Sequence, residues 1–214
     1  MKLHEPDVAL TDLGLAVECT WFVVLLSGYG AATGNLAAWF CAFFAATGLA
    51  AFLGAVTHGF IPDQNSALYR VLWLGIFAAI GFAAVACWVV GARLIFGDAG
   101  VRIVLIGAIA ALVVYMAIVI KVSQSFAVPI IYYLPSAAFL LLAFGVAYMR
   151  NPELHFALGM AGVLLTFVAA LVQQIKVRLH PRYFDHNAFY HVIQAIALFL
   201  IFLAARGPIS STML

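Results

Sequence analysis

Residues 102–122 read RIVLIGAIAALVVYMAIVIKV, and the stretch from Ile103 to Ile120 contains no charged side chain. A helix that crosses the hydrocarbon core of a bilayer needs about 20 mostly apolar residues, whereas a transmembrane β-strand shows alternation over about ten residues. An unbroken apolar run of this length therefore predicts a transmembrane α-helix.

Six further apolar runs fill most of the remaining chain, at residues 12–32, 36–58, 69–94, 127–149, 154–177 and 187–205. The 214 residues are 67% hydrophobic and 8% charged, with a mean hydropathy of +1.15. A soluble domain has about 25% charged residues. The connections are short and rich in turn residues, so residues 1–214 are predicted to form one all-α domain, a bundle of seven transmembrane helices.

The start of the chain and its net charge argue against a cleaved signal peptide and against nucleic-acid binding. The opening MKLHEPDVALTDLG lacks the basic region and cleavage site of a signal peptide, so the first run is expected to remain as a helix. A net charge of +2 without a basic run argues against nucleic-acid binding. We expect an integral protein of a bacterial inner membrane, with membrane lipid as its partner.

The distribution of basic residues predicts the orientation of the chain in the membrane. Six lie on the side of the N-terminus, namely Lys2, Arg70, Lys121, Lys176, Arg178 and Arg182. Four lie on the opposite side, namely Arg93, Arg102, Arg150 and Arg206. Because cytoplasmic loops carry more Lys and Arg, the N-terminus is predicted to be cytoplasmic.

The polar residues of the spans gather in one leaflet. Odd spans start on the N-terminal side and even spans end there, which brings together Asp12, Glu18, His58, Gln173, Gln174, Asn187, His191 and Gln194. Five of the six histidines share that side. Polar groups at such depth are costly unless they face the bundle interior, a partner or water, so this layer is the predicted functional site.

The start of span 7 contains a polar stripe. Asn187 and His191 lie about 40° apart around a helix, and Gln194 lies about 60° further on. The stripe is therefore expected to face the bundle interior. His186 is about 140° from His191, but it could still point inward from a capping turn, where Asp185 is a suitable cap.

Two or three imidazoles with a water are typical of a catalytic zinc site, and His58, His186 and His191 are the candidate ligands. Gln173, Gln174 or Gln194 could orient these ligands or bind an amide or ester carbonyl. The competing interpretation makes each histidine a hydrogen-bonding group between helices, and Glu18 a structural carboxylate.

Two segments carry a family resemblance: Gly54-Ala-Val-Thr-His58-Gly59 and His186-Asn-Ala-Phe-Tyr-His191. Together with seven spans, they resemble the superfamily of alkaline ceramidases and progestin/adipoQ receptors, in particular its bacterial relatives. In those relatives we expect a glutamine, then Leu-His, then His-Asn-x-x-x-His-x-x-Gln, which correspond here to Gln173 or Gln174, Leu179-His180 and the segment from His186 to Gln194.

The resemblance implies a zinc ion held by one histidine of span 2 and by an HxxxH pair of span 7, and hydrolysis of a lipid amide such as ceramide. His58 and His191 match two ligands. Asn187 occupies the first position of the HxxxH pair, Gly54 stands where the family has an assisting serine, and the start of span 3 offers no aspartate. Either His186 supplies the third ligand or the site differs.

The predicted function is a zinc-dependent intramembrane hydrolase of a lipid amide or ester, with a metal-bound water attacking the carbonyl. Glu18 or Asp63 is the candidate catalytic base, and lipid is expected to enter sideways where Pro129 and Pro135 disturb span 5. The alternatives are a non-catalytic receptor or lipid-binding protein with a polar cavity, a proton-relaying transporter, and haem ligation by His58 and His191.

Overall fold

The computed structural model describes residues 3–28, 35–180 and 184–210. It contains the helices α1 (Pro6–Ser27), α2 (Asn35–Phe60), α3 (Ala67–Ile95), α4 (Asp98–Lys121), α5 (Ala127–Arg150), α6 (Leu154–Gln174) and α7 (His186–Ser210). All seven are long and apolar enough to span a membrane. The β-structure of the described residues is limited to one isolated bridge, which joins His180 and Phe184. The predicted all-α seven-helix bundle is confirmed.

The helix boundaries differ from the predicted spans by a few residues. α1 starts at Pro6, six residues before the predicted start, because a proline at the first helical position has the required φ and needs no hydrogen-bond acceptor. The predicted end of span 1 and most of the turn at residues 33–35 lie outside the described residues, but Asn35 already belongs to α2. α6 ends at Gln174, three residues early, and Lys176 adopts φ 57°, the left-handed conformation that commonly ends a helix.

Six helices form a ring and the seventh lies outside it. The packing order is α1, α2, α3, α5, α6 and α7, and the ring closes between α7 and α1. α4 packs mainly on α3 and is the least buried helix, whereas α3 is the most buried. This arrangement leaves room for a cavity inside the ring.

Small residues and stacked aromatic rings hold the ring together. At Gly48 an added Cβ would lie 2.8 Å from the Cβ of Cys19, and at Gly162 it would lie 2.8 Å from the carbonyl oxygen of Ala197. These two glycines allow α2 to approach α1, and α6 to approach α7. Phe22 of α1 stacks on Phe202 of α7 with ring centroids 4.3 Å apart.

The segment before α1 and the first turn of α1 contact the ends of two other helices. The backbone N–H groups of His4 and Glu5 donate to the carbonyl oxygens of Gly59 and His58, at 3.1 and 3.2 Å. The backbone N–H of Asp185, next to the start of α7, donates to Oδ2 of Asp7 at 3.1 Å. The first residues therefore fix the end of α2 and the start of α7, where the predicted site residues lie.

Candidate functional site

A cavity of about 410 Å³ lies inside the ring, within the usual size range for ligand sites. Every helix except α4 contributes to its lining. The polar lining at the N-terminal side includes Asp12, His58, Gln173, Asn187, His191 and Gln194. Further from that side, side chains such as Phe43, Ile80 and Ala83 make the walls apolar. The cavity is thus amphipathic, with its polar end in one leaflet.

His191 is held on both ring nitrogens. Its Nε2 lies 3.2 Å from Oδ1 of Asp12, and its Nδ1 lies 3.0 Å from Oγ1 of Thr11. The side chains of Asp12 and His191 are only 7% and 11% exposed. The Asp12–His191 pair has no net charge when it shares one proton, whether that proton lies on the imidazole or on the carboxyl group. Buried ionisable groups generally require such neutrality.

The contacts of His191 order a hydroxyl, an imidazole and a carboxylate as in a hydrolytic triad. Thr11, however, is not among the residues that line the cavity. Its Oγ1 also lies 2.9 Å and 3.0 Å from the carbonyl oxygens of Asp7 and Val8. The hydroxyl therefore anchors the ring of His191 and does not face a substrate in the cavity.

His58 reaches the cavity from the last turn of α2 and is held from outside it. Its Nδ1 lies 2.5 Å from Oε2 of Glu5, and both side chains are partly exposed. Glu5 belongs to the segment before α1 and Asp12 to the second turn of α1, so residues 5–12 supply a carboxylate to each cavity histidine. Nε2 of His58 is the ring nitrogen left for a ligand.

Side-chain amides complete the polar end. Nε2 of Gln173 donates to Oδ1 of Asn187 at 3.2 Å, which links the end of α6 to the start of α7. Nε2 of Gln194 donates to Oγ1 of Thr166 at 3.4 Å. Oε1 of Gln194 is buried and has no hydrogen-bond partner within the described part of the chain. The predicted polar stripe of Asn187, His191 and Gln194 does line the cavity.

The other predicted site residues lie outside this cavity. Asp185 caps α7 by accepting from the N–H groups of Asn187 and Ala188, and Nδ1 of His186 lies 3.7 Å from its Oδ2. Gln174 is exposed at the end of α6. The structure thus brings His58 and His191 to one cavity without His186.

Neither predicted catalytic base lines the cavity. Glu18 follows Asp12 by six residues, which turns it about 240° around α1, and it is half-buried beside the core stripe. Asp63 is exposed in the connection between α2 and α3, where Oδ1 accepts from the backbone N–H of Asn65 at 2.9 Å. Asp63 therefore stabilises a turn of the kind that Asp commonly forms.

The donor types at the polar end suit zinc, but their arrangement does not form a coordination shell. Across residues 3–28, 35–180 and 184–210, no three His, Cys, Asp or Glu side chains lie in an arrangement that could hold a metal ion. His191 uses both nitrogens for protein contacts, and His186 is elsewhere. The predicted zinc triad does not fit these side-chain positions, and zinc binding stays a prediction.

Sequence analysis placed Asp12 in the polar layer without giving it a role in the site, and it missed Glu5 and Thr11, which contact the two cavity histidines. A signal for Asp12 was present, because Leu15, Ala16 and Cys19 share its helix face at spacings of three, four and seven residues. All three are buried. The contacts of Glu5 and Thr11 depend on how the first residues cross the ends of α2 and α7, and the sequence pattern does not encode this.

The fold and the cavity define an integral membrane protein of seven helices with an intramembrane site that ends in histidines, a carboxylate and amides. The chain belongs to DUF6962, a family of unknown function, whose model matches residues 8–209. No curated protein and no solved structure matches the chain.

Proposed function

We propose that this protein binds an amphiphilic membrane lipid in the cavity, with its polar group at the histidine end and its alkyl chain between the apolar walls. The observation that carries the proposal is the amphipathic lining of one cavity inside a membrane-embedded ring. A pocket with apolar walls and a few convergent polar groups is typical of small-molecule sites. The polar groups fix the orientation of the ligand, and the walls supply most of the favourable burial.

Leu134 provides the connection to the membrane. Leu134 is 49% exposed, whereas the other cavity-lining residues of the described chain are buried or half-buried. Leu134 lies on α5, next to Pro135, which cannot donate a backbone hydrogen bond inside the helix. A lipid can therefore reach the cavity from the side, past Leu134 of α5, without crossing the aqueous surface.

Trp73 makes binding measurable because it lines the cavity. A dodecanamide brominated near its amide end, which lies at the depth of Trp73, should quench Trp73 fluorescence in the purified protein, and the part of the quenching lost in Trp73→Phe reports cavity binding. Filling the cavity with Ala170→Phe should weaken binding roughly tenfold, in line with the cost of overpacking. Ala161 lies nine residues earlier on α6, about 180° around the helix and exposed, so Ala161→Phe is the matched control. Equal binding by both variants would contradict a ligand inside the ring.

Zinc-dependent hydrolysis of a lipid amide or ester is the second candidate. The observation that favours it is that Asp12, His58 and His191 line the same end of the cavity, since carboxylate and imidazole are common zinc ligands. Zinc would polarise a carbonyl and activate a water near neutral pH. His58 could coordinate through Nε2 while Glu5 keeps its contact with Nδ1, whereas His191 would have to release Asp12 or Thr11.

Elemental mass spectrometry of the purified protein separates the two candidates. The hydrolase predicts about one zinc per chain, with less in His58→Ala and His191→Ala, and release of a fatty acid from a lipid amide. Retention of the intact amide without zinc, even after zinc is supplied, supports binding alone.

We further propose that the polar end of the cavity faces the cytoplasm of a bacterial inner membrane. Arg70, Lys121, Lys176 and Arg178 lie on the same side as the start of α1, and Arg93, Arg102, Arg150 and Arg206 lie on the other. Lys2 and Arg182, which lie outside the described residues, raise the count on the first side from four to six in the sequence, and this excess supports a cytoplasmic N-terminus. Gln64→Cys and Pro152→Cys, each in a background without Cys19, Cys41 and Cys87, should react with an impermeant maleimide from the cytoplasmic and the external side, respectively. The reverse pattern would overturn this orientation.

A further inference from the structure

Gln194 lies deeper in the membrane than the cavity histidine of the same helix. It follows His191 by three residues of α7, a rise of about 4.5 Å away from the N-terminal side. Gln194 lines the cavity and is only 6% exposed. It is therefore a buried polar group in the part of the cavity where the walls become apolar.

The contacts of Thr166 fix which end of the Gln194 amide is left unpaired. The hydroxyl of Thr166 donates to the carbonyl oxygen of Gly162 at 3.2 Å, so its oxygen remains as an acceptor. That oxygen lies 3.4 Å from Nε2 of Gln194. Oε1 is then the atom without a partner in the described chain. A buried acceptor left unpaired is costly, and most such groups in proteins are satisfied.

We infer that the ligand donates a hydrogen bond from an N–H or O–H group to Oε1 of Gln194, which makes Gln194 the residue that selects the ligand. This inference rests on the proposed lipid-binding function. It specifies an uncharged long-chain amide or alcohol, because esters, ethers and tertiary amides offer no donor to this oxygen.

Apart from His58, which is paired with Glu5 near the membrane surface, the polar end agrees with an uncharged ligand. The Asp12–His191 pair has no net charge when it shares one proton, and Asn187 and Gln173 are neutral amides that already bind each other. A charged head group placed as deep as Gln194 would meet no opposite charge there, and its desolvation would not be compensated. A neutral donor satisfies Gln194 at no such cost.

Three ligands that share a chain and a carbonyl test the inference. Dodecanamide has two N–H donors, N-methyldodecanamide has one, and N,N-dimethyldodecanamide has none. Each competes with the brominated amide for the site beside Trp73. The wild-type protein should bind the two donors roughly tenfold or more tightly than the dimethyl compound, since an acceptor that stays unpaired loses about 1.4 kcal/mol or more.

Substitution of Gln194 should abolish this preference without abolishing binding. In Gln194→Leu the dimethyl compound should bind at least as tightly as in the wild type, which also demonstrates that the variant is folded, while the donors lose their advantage. Thr166→Val, which frees the amide to rotate, should reduce the preference in part. Thr57→Val is the control and should keep the preference, because Thr57 does not line the cavity and its hydroxyl donates to the carbonyl oxygen of Leu53.

Two outcomes separate this inference from the proposal beneath it. If wild-type protein binds all three amides equally, Gln194 does not select a donor, although the cavity still binds lipid. The lipid-binding proposal itself fails if no amide reduces the quenching of Trp73 by the brominated amide. It also fails if Ala170→Phe leaves that competition unchanged.

Discussion

At the scale of single residues, the two cavity histidines are held by carboxylates in different surroundings. Asp12 and His191 meet inside the ring, where both side chains are about nine-tenths buried, whereas Glu5 meets His58 near the membrane surface with 44% of its side chain exposed. Since water competes for an exposed pair and not for a buried one, the two contacts should differ in their contribution to stability.

Substitution of each carboxylate measures this difference. Asp12→Ala should lower the free energy of unfolding by at least about 1–3 kcal/mol, because Nε2 of His191 loses its partner in a buried site. Glu5→Ala should cost less than about 1 kcal/mol, the usual range for an exposed pair. Unfolding in one detergent, followed by circular dichroism, compares the variants, and Asp12→Asn should lose less because it keeps a hydrogen-bonding group. Equal losses for Asp12→Ala and Glu5→Ala would contradict the burial argument.

Gly54 stands close to the same carboxylate. A Cβ added there would lie 2.7 Å from Oδ2 of Asp12, so Asp12 occupies the space that a side chain at position 54 would need. This contact gives a physical reason for glycine at position 54. Gly54→Ala should therefore displace Asp12 and destabilise the protein by about 1–3 kcal/mol.

The control for this substitution is Gly14 on α1, where an added Cβ would meet nothing within 4 Å. Gly14→Ala should be neutral or stabilise the helix by up to about 1 kcal/mol, because alanine loses less backbone entropy than glycine. Opposite signs for the two variants are expected in the same unfolding assay, and destabilisation by both would mean that glycine serves another purpose in these helices.

The sequence predicts how deep a residue lies in the membrane, but it does not always predict which way the side chain points around the helix axis. Counting from the span ends placed Asp12 and Glu18 in the correct leaflet, because a helix rises uniformly along its axis. Choosing Glu18 over Asp12 as the functional carboxylate was a matter of direction around α1, which depends on where α2 and α7 pack. The stripe in α7 was predictable because all three of its polar residues lie on one helix and define their own direction.

At the scale of helices, the bilayer accounts for what the sequence predicted well. Span number and length follow from the thickness of the hydrocarbon core and from the need to satisfy the backbone within each helix. The order of helices around the ring and the exclusion of α4 depend on many small packing contacts, such as Gly48 against Cys19 and Gly162 against α7. Such contacts have no signature in the hydrophobicity of a single helix.

The proposed lateral entrance at Leu134 of α5 can be tested by kinetics. Leu134→Phe should slow both association and dissociation of the brominated amide a few-fold, with a nearly unchanged dissociation constant, because a narrower entrance raises the barrier for both directions equally. Ile131 lies three residues earlier, is 71% exposed and does not line the cavity, so Ile131→Phe should leave both rates unchanged. Stopped-flow quenching of Trp73 measures the rates. A change in affinity without a change in association rate would place the entrance elsewhere.

At the scale of the whole molecule, α4 stands apart from the ring that forms the cavity. It is the most hydropathic helix and the least buried, so most of its surface contacts lipid. One buried hydrogen bond fastens it: the hydroxyl of Tyr115 donates to the carbonyl oxygen of Phe77 on α3 at 3.0 Å. The ring of Tyr115 also stacks on Tyr132 of α5, with centroids 4.2 Å apart.

Loss of this hydrogen bond should therefore affect stability and binding differently. Tyr115→Phe keeps the stacked ring and removes only the hydroxyl, so the free energy of unfolding should fall by about 0.5–1.5 kcal/mol. No residue of α4 lines the cavity, and the affinity for dodecanamide should stay within about twofold of the wild-type value. Gln194→Leu should show the reverse behaviour, because it removes a costly unpaired acceptor from the empty protein while it abolishes selection of the donor. If Tyr115→Phe weakens binding as much as it weakens folding, α4 is coupled to the cavity through α3, and the ring does not form the site by itself.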